Sequence, residues 1–166
     1  MEKNLQSGEA ITKLQEMVSD IRTCIFITSG KSCMHSSRPM AAVEADHQGN
    51  IWFFTSNHSN KVKDIEQEAQ VDLVFAHPGK DSYLHIKGRA VVVSDKTTIA
   101  EKWTPIVKAW FPGGINDPGL CLVKVKSDEA HYWDTESTKM VEMLKVALSA
   151  ITGKSMAEGV HGELHI

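Results

Sequence analysis

The sequence predicts an α+β protein built on a mainly antiparallel β-barrel with flanking helices, and three observations predict it. Six or seven short runs rich in β-branched and aromatic residues are separated by turn signals. Segments of helical period stand at the ends and between these runs, without the regular β-α-β alternation of a parallel sheet. Gly88 falls inside a long run, as it does where a barrel strand turns a corner.

Taken in order, residues from about Ser7 to Ser19 place Ile11, Leu14, Met17 and Val18 on one face, with Ser7 as the N-cap of an amphipathic helix. Cys24 to Thr28 is a strand ended by Ser29-Gly30. Pro39 to Ala45 and Ile51 to Thr55 flank Asp46-His47-Gln48-Gly49-Asn50, a polar connection of hairpin length, so they pair antiparallel. Lys61 to Glu68 forms a short helix that starts near Ser59 and buries Val62 and Ile65. Strands follow at Val71 to Ala76 and, after Pro78-Gly79, at Tyr83 to Val93. Lys96 to Trp110 reads as helix in two pieces interrupted at Pro105, and Phe111 to Gly119 as a loop. Leu120 to Lys126 and Ala130 to Asp134 are read as two further strands. A last helix is expected over about 138–152, ended by Gly153, with a flexible tail over 153–166.

The 166 residues are 42% hydrophobic and 23% charged with a formal net charge of −3, the balance of one globular domain spanning 1–166. A chain of this length buries roughly 70% of its unfolded surface, enough for a core without disulfides or a structural metal. Cys24, Cys33 and Cys121 are odd in number and lack a C-x-x-C spacing, which argues for a reducing cytoplasm. The slightly acidic balance argues against nucleic acid as a partner. No apolar run approaches the roughly 20 residues of a membrane span, and Met1-Glu2-Lys3-Asn4 opens a polar stretch without a signal-peptide core.

The segment from Arg38 to Lys61 carries the most chemistry. It sets a cation at the start of one strand, and a hydroxyl-rich turn with a second cation at the end of its hairpin partner. Thr55, Ser56, Asn57, Ser59 and Asn60 add neutral donors next to a helix start, the set a phosphate monoester asks for. Composition leaves a second reading open, a capped turn with a solvated arginine and lysine.

In this order and spacing, Arg38-Pro39-Met40, Phe53-Phe54-Thr55, Ser59-Asn60-Lys61 and Lys87-Gly88-Arg89-Ala90 resemble the FMN-binding split-barrel superfamily typified by pyridoxamine 5'-phosphate oxidase. Trp110-Phe111-Pro112-Gly113-Gly114 and Ala130-His131-Tyr132-Trp133-Asp134 resemble its general stress protein branch. The resemblance implies a six-stranded antiparallel split β-barrel that forms a homodimer with FMN at the subunit interface. It implies Arg38, Ser59 and Lys61 as holders of the FMN phosphate, and Phe54 and Thr55 as lining of the ribityl and isoalloxazine region. Trp110, beside the Pro-Gly-Gly loop, is placed to approach the flavin.

Two departures stand out. Val43 replaces a basic residue of the vitamin oxidase five positions after the strand arginine, and Asn60 replaces an arginine between the turn's serine and lysine. With the basic and aromatic C-terminal pattern of that enzyme also missing, the resemblance does not extend to pyridoxamine phosphate as substrate. What it implies is an FMN-dependent oxidoreductase passing electrons from a nicotinamide donor to a small acceptor. The alternative is a flavin-binding or flavin-buffering stress protein without turnover; relatives of the superfamily also use deazaflavin or haem. The eight histidines are scattered without a zincin spacing, so no metal site is expected.

Overall fold

The computed structural model describes residues 3–29, 35–134 and 160–166. Strands β1 (Leu5–Gln6), β2 (Thr23–Ser29), β3 (His35–Ala45), β4 (Asn50–Ser56), β5 (Gln70–His77), β6 (Ser82–Val93), β7 (Leu120–Asp134) and β8 (Val160–His165) form one sheet in the order β1-β8-β7-β4-β3-β2-β5-β6. A further β6–β7 pairing closes β2, β3, β4, β7, β6 and β5 into a ring, the six-stranded barrel that was expected. All ring pairings are antiparallel. Helices α1 (Ser7–Ile21), α2 (Asn60–Gln67) and α3 (Lys96–Lys102) flank it. Among the described residues, no helix is long and apolar enough to cross a membrane.

Strand alternation decides what enters the barrel. Cys24 and Phe26 of β2, Ile51 and Phe53 of β4, Leu73 and Phe75 of β5, and Leu84 and Ile86 of β6 share one buried cluster with Leu14, Met17 and Val18 of α1. Phe26 and Phe53 meet edge to face at 5.3 Å. The intervening β4 side chains point the other way. Trp52 and Phe54 join a second, smaller cluster with Ile99 of α3 and Trp103.

Gly88 bears out its expected role. The β6–β7 register shifts between Lys87 and Gly88, leaving Asp128 without a counterpart in the ladder. A Cβ on Gly88 would lie 2.3 Å from the Lys126 carbonyl oxygen, so only glycine allows the strands to approach here. This bulge also explains why Leu120 to Lys126 and Ala130 to Asp134, read as two strands, are one. The polar Ser127-Asp128-Glu129 stretch continues the strand through the bulge.

Three other expectations are corrected. The N-cap of α1 is Gln6, because β1 pairs Gln6 with His165 and delivers the chain directly into the helix; Ser7 is the first helical residue. The piece after Pro105 is a 3-10 helix, Pro105–Ala109, and the following loop contains a 3-10 turn, Gly114–Asn116. The tail is not loose over Val160–His165, where β8 pairs with both β1 and β7. Its glycine serves contact: a Cβ on Gly162 would lie 2.0 Å from the Lys3 carbonyl oxygen. The helix expected over 138–152 lies outside the described residues.

Candidate phosphate site at the barrel mouth

Near one end of the barrel the inward positions turn from apolar to polar. After Phe26 the next inward residue of β2 is Thr28, after Phe53 that of β4 is Thr55, and both are buried. Arg38 pairs with Phe26 across β2–β3, so it points to the inward side as well. Cys121 pairs with Thr55 across β4–β7, and its Sγ lies 3.5 Å from the Thr55 carbonyl oxygen. Helix α2 covers these groups. It buries Val62 and Ile65, as its spacing predicted, and turns the neighbouring Lys61 and Asp64 toward the strand ends.

The polar contacts form two sets. Arg38 Nη1 donates to Thr28 Oγ1 at 2.8 Å, and Thr28 Oγ1 donates to Asp64 Oδ2 at 2.8 Å. Arg38 Nη2 stands 3.4 Å from the same carboxylate oxygen, and the Arg38 and Asp64 side chains are only 20% and 21% exposed. Separately, Lys61 Nζ donates to Thr55 Oγ1 at 2.8 Å. Burial lowers the Lys61 pKa from its ordinary value, and the charge of Arg38 lowers it further. The two cations therefore feel one another, and in a half-buried site that mutual repulsion is only weakly screened. Burial pushes the Cys121 thiol up to about 11 against the pull of Lys61, so it remains a neutral thiol beside the lysine.

Ser59 opens α2 as its N-cap, yet its hydroxyl makes no capping bond. Among the described residues it is the one buried side-chain polar atom without a hydrogen-bond partner. A buried hydroxyl left unsatisfied is unfavourable, and native proteins retain few of them. Beside a helix start and two converging cations, such a donor fits an anion.

The structure thus gathers Arg38, Thr55, Ser59 and Lys61 at one end of the barrel. Phe54 does not join them. Strand alternation turns its ring to the outer face, where it meets Trp103 edge to face at 5.9 Å. Trp110 is 67% exposed, at the head of a loop tied to the same turn by Asn57 N donating to Gly119 O at 2.9 Å and Asn57 Nδ2 to Pro118 O at 3.1 Å. Thr28 and Asp64 escaped the sequence reading. Their signals were an inward position two residues after Phe26, and an acid three residues after Lys61 on the same helix.

A family model described as "Pyridoxamine 5'-phosphate oxidase like" matches residues 9–157. The Neurospora crassa protein bli-3 is 26% identical over 160 residues, covering 85% of this chain and 76% of its own. The structure of a general stress FMN/FAD binding protein from Xanthomonas citri is 33% identical, with TM-score 0.67, covering 78% of this chain and 92% of that one. A Jannaschia sp. CCS1 protein assigned to general stress protein 26 has the same fold, with TM-score 0.77 at 22% identity, over 92% of this chain and 97% of that one.

Proposed function

Because the chain belongs to the pyridoxamine 5'-phosphate oxidase-like family, in its general stress protein branch, we propose that it binds FMN through the polar barrel mouth and serves as a flavin-dependent oxidoreductase. The observation that carries the reading is the buried, unpartnered hydroxyl of Ser59 at the start of the helix that bears Lys61. A phosphate would accept from Ser59 and receive charge-assisted bonds from Arg38 and Lys61. Thr55 contributes by holding the Lys61 ammonium, and Phe54 supports β4 from behind through Trp103. Trp110 offers an exposed aromatic face to the isoalloxazine from the loop tethered to the turn.

Bound FMN supplies hydride and single-electron transfer, and the protein's part is to hold and orient it. The reading includes a nicotinamide donor, a small acceptor and a homodimer. Ile25, 43% exposed on β2, pairs with exposed Pro39 on β3 beside Arg38, an apolar outer surface for the second copy. A cytoplasmic setting suits the free, buried thiols of Cys24 and Cys121. Asn60 and Val43, uncharged where the vitamin oxidase is basic, favour a second reading in which the protein stores flavin without turning over. Steady oxidation of a nicotinamide cofactor by FMN-loaded protein separates the two.

The first test is a titration of flavin-free protein with FMN and with riboflavin, followed by flavin fluorescence. FMN binding at least about tenfold tighter, about 1.4 kcal/mol, is expected from charge-assisted bonds to the phosphate. Saturation by neither flavin would overturn the reading.

A further inference from the structure

The barrel mouth that gathers two cations also gathers an acid. Asp64 Oδ2 accepts from Thr28 Oγ1 at 2.8 Å and faces Arg38 Nη2 at 3.4 Å, while Thr28 accepts from Arg38 Nη1 at 2.8 Å. One edge of the guanidinium is therefore occupied by a hydroxyl and a carboxylate. Lys61 is held by a neutral hydroxyl instead. Arg38 and Lys61 less Asp64 leave one net positive charge among these three side chains, against a flavin phosphate that carries nearly two negative ones at neutral pH.

We infer that Asp64 is a positioning residue that orients Arg38 through Thr28 and moderates the site's affinity for a doubly charged phosphate. The inference rests on the phosphate reading above. Its two parts are separable because they use different properties of the carboxylate. Orientation needs an acceptor for Thr28, which an amide oxygen also provides. Moderation needs the negative charge, whose repulsion of a phosphate grows with the charge the phosphate carries. Asp64→Asn keeps the first and removes the second. Thr28→Val has almost the same shape but removes the hydroxyl that links Arg38 to Asp64, leaving all charges in place.

The experiment is a flavin titration at neutral pH of wild type, Asp64→Asn, Asp64→Glu and Thr28→Val. Three ligands differ in phosphate charge: FMN, the singly charged methyl phosphodiester of FMN, and riboflavin. Far-ultraviolet circular dichroism confirms folding of each variant. Asp64→Asn is expected to bind FMN about tenfold tighter than wild type, a decade being about 1.4 kcal/mol. It should bind the methyl diester tighter by a smaller factor, and riboflavin unchanged. Asp64→Glu, which keeps the charge, should bind FMN no tighter than wild type, and Thr28→Val should bind it more weakly. A folded Asp64→Asn with equal or weaker FMN binding, or a gain shared by riboflavin, would overturn the role of Asp64. Wild type that does not distinguish FMN from riboflavin would instead bring down the phosphate site, and this inference with it.

Discussion

Two groups of ionisable side chains sit on the same barrel, and they are built differently. At the mouth, Arg38 from β3, Thr28 from β2, and Asp64 and Lys61 from α2 point inward, so each is fixed by neighbours from other elements. On the outer face, the registers Val74–His85–His131–Glu163 run across β5, β6, β7 and β8. There His85 Nε2 is 2.8 Å from Asp72 Oδ1, and the rings of His85 and His131 stack at 6.5 Å. Glu163 lies 3.9 Å from His131 and 3.5 Å from His165, and these side chains are between 31% and 53% exposed. Water can replace each outer contact, whereas at the mouth removal of one partner leaves another charge poorly solvated. Burial and the number of elements that converge, rather than the number of charges, are what would give a ligand's charge more effect at the mouth than on the outer face.

The largest expected effect comes from breaking the mouth at Arg38. On the proposed reading Arg38→Ala removes a charge-assisted donor to the phosphate, and it also leaves the Asp64 carboxylate without its cation. The loss should approach a hundredfold in FMN affinity, the upper end of about 1.5–3 kcal/mol for a hydrogen bond to a charged group. Riboflavin affinity should not change. Equal FMN affinity of wild type and variant would remove Arg38 from the site.

Ser59→Ala sharpens the comparison further, because binding and stability should move in opposite directions. Losing a serine N-cap ordinarily costs about 0.5–2 kcal/mol, but that figure reflects a capping bond which Ser59 does not make. Its hydroxyl is buried and unsatisfied, so alanine should leave the flavin-free protein as stable as wild type or slightly more so. FMN binding should weaken by about tenfold, the lower end of the same hydrogen-bond range. Thermal denaturation without flavin, set beside an FMN titration, reads both. A drop in the melting temperature with unchanged FMN affinity would make Ser59 a structural cap.

Part of this mouth was legible in the sequence because it lies along one stretch of chain. Thr55, Ser59 and Lys61 run from a strand end through a turn into a helix start, and Arg38 lies in the first half of the partner strand of the hairpin. Thr28 and Asp64 were not legible, since each is ordinary in its own element, a threonine in a strand and an acid on a short helix. Only the inward register of β2 and β3, together with the placement of α2, brings them to one guanidinium. Phe54 shows the converse. The resemblance pairs it with Thr55 along the flavin, and a period of two sends these neighbours to opposite faces, so Phe54 stands against Trp103 rather than beside the cations. The fold followed the same logic. Strands with strong apolar alternation were readable, while β1 and β8 are short and polar and exist through pairing with each other and with β7. The Gly162 that looked like a sign of looseness marks a place where the Lys3 backbone leaves no room for a Cβ.

The smallest effect is expected on the outer face, where Asp72→Asn removes the carboxylate that contacts the His85 ring. Both side chains are near a third exposed or more, at 41% and 31%, and exposed pairs contribute about 0–1 kcal/mol. The variant should lose no more than about 1 kcal/mol, a shift of a few degrees in melting temperature for a chain of this size. Its preference for FMN over riboflavin should match wild type, because Asp72 makes no contact with the groups at the mouth. Added salt should narrow the difference in melting temperature, since an exposed pair is screened within about 10 Å at moderate ionic strength. A destabilisation of several kcal/mol, or a changed flavin preference, would mean that the outer row is coupled to the mouth through the β2–β5 pairing of Ile27 with Asp72. The contrast between the two regions would then rest on connectivity rather than on burial.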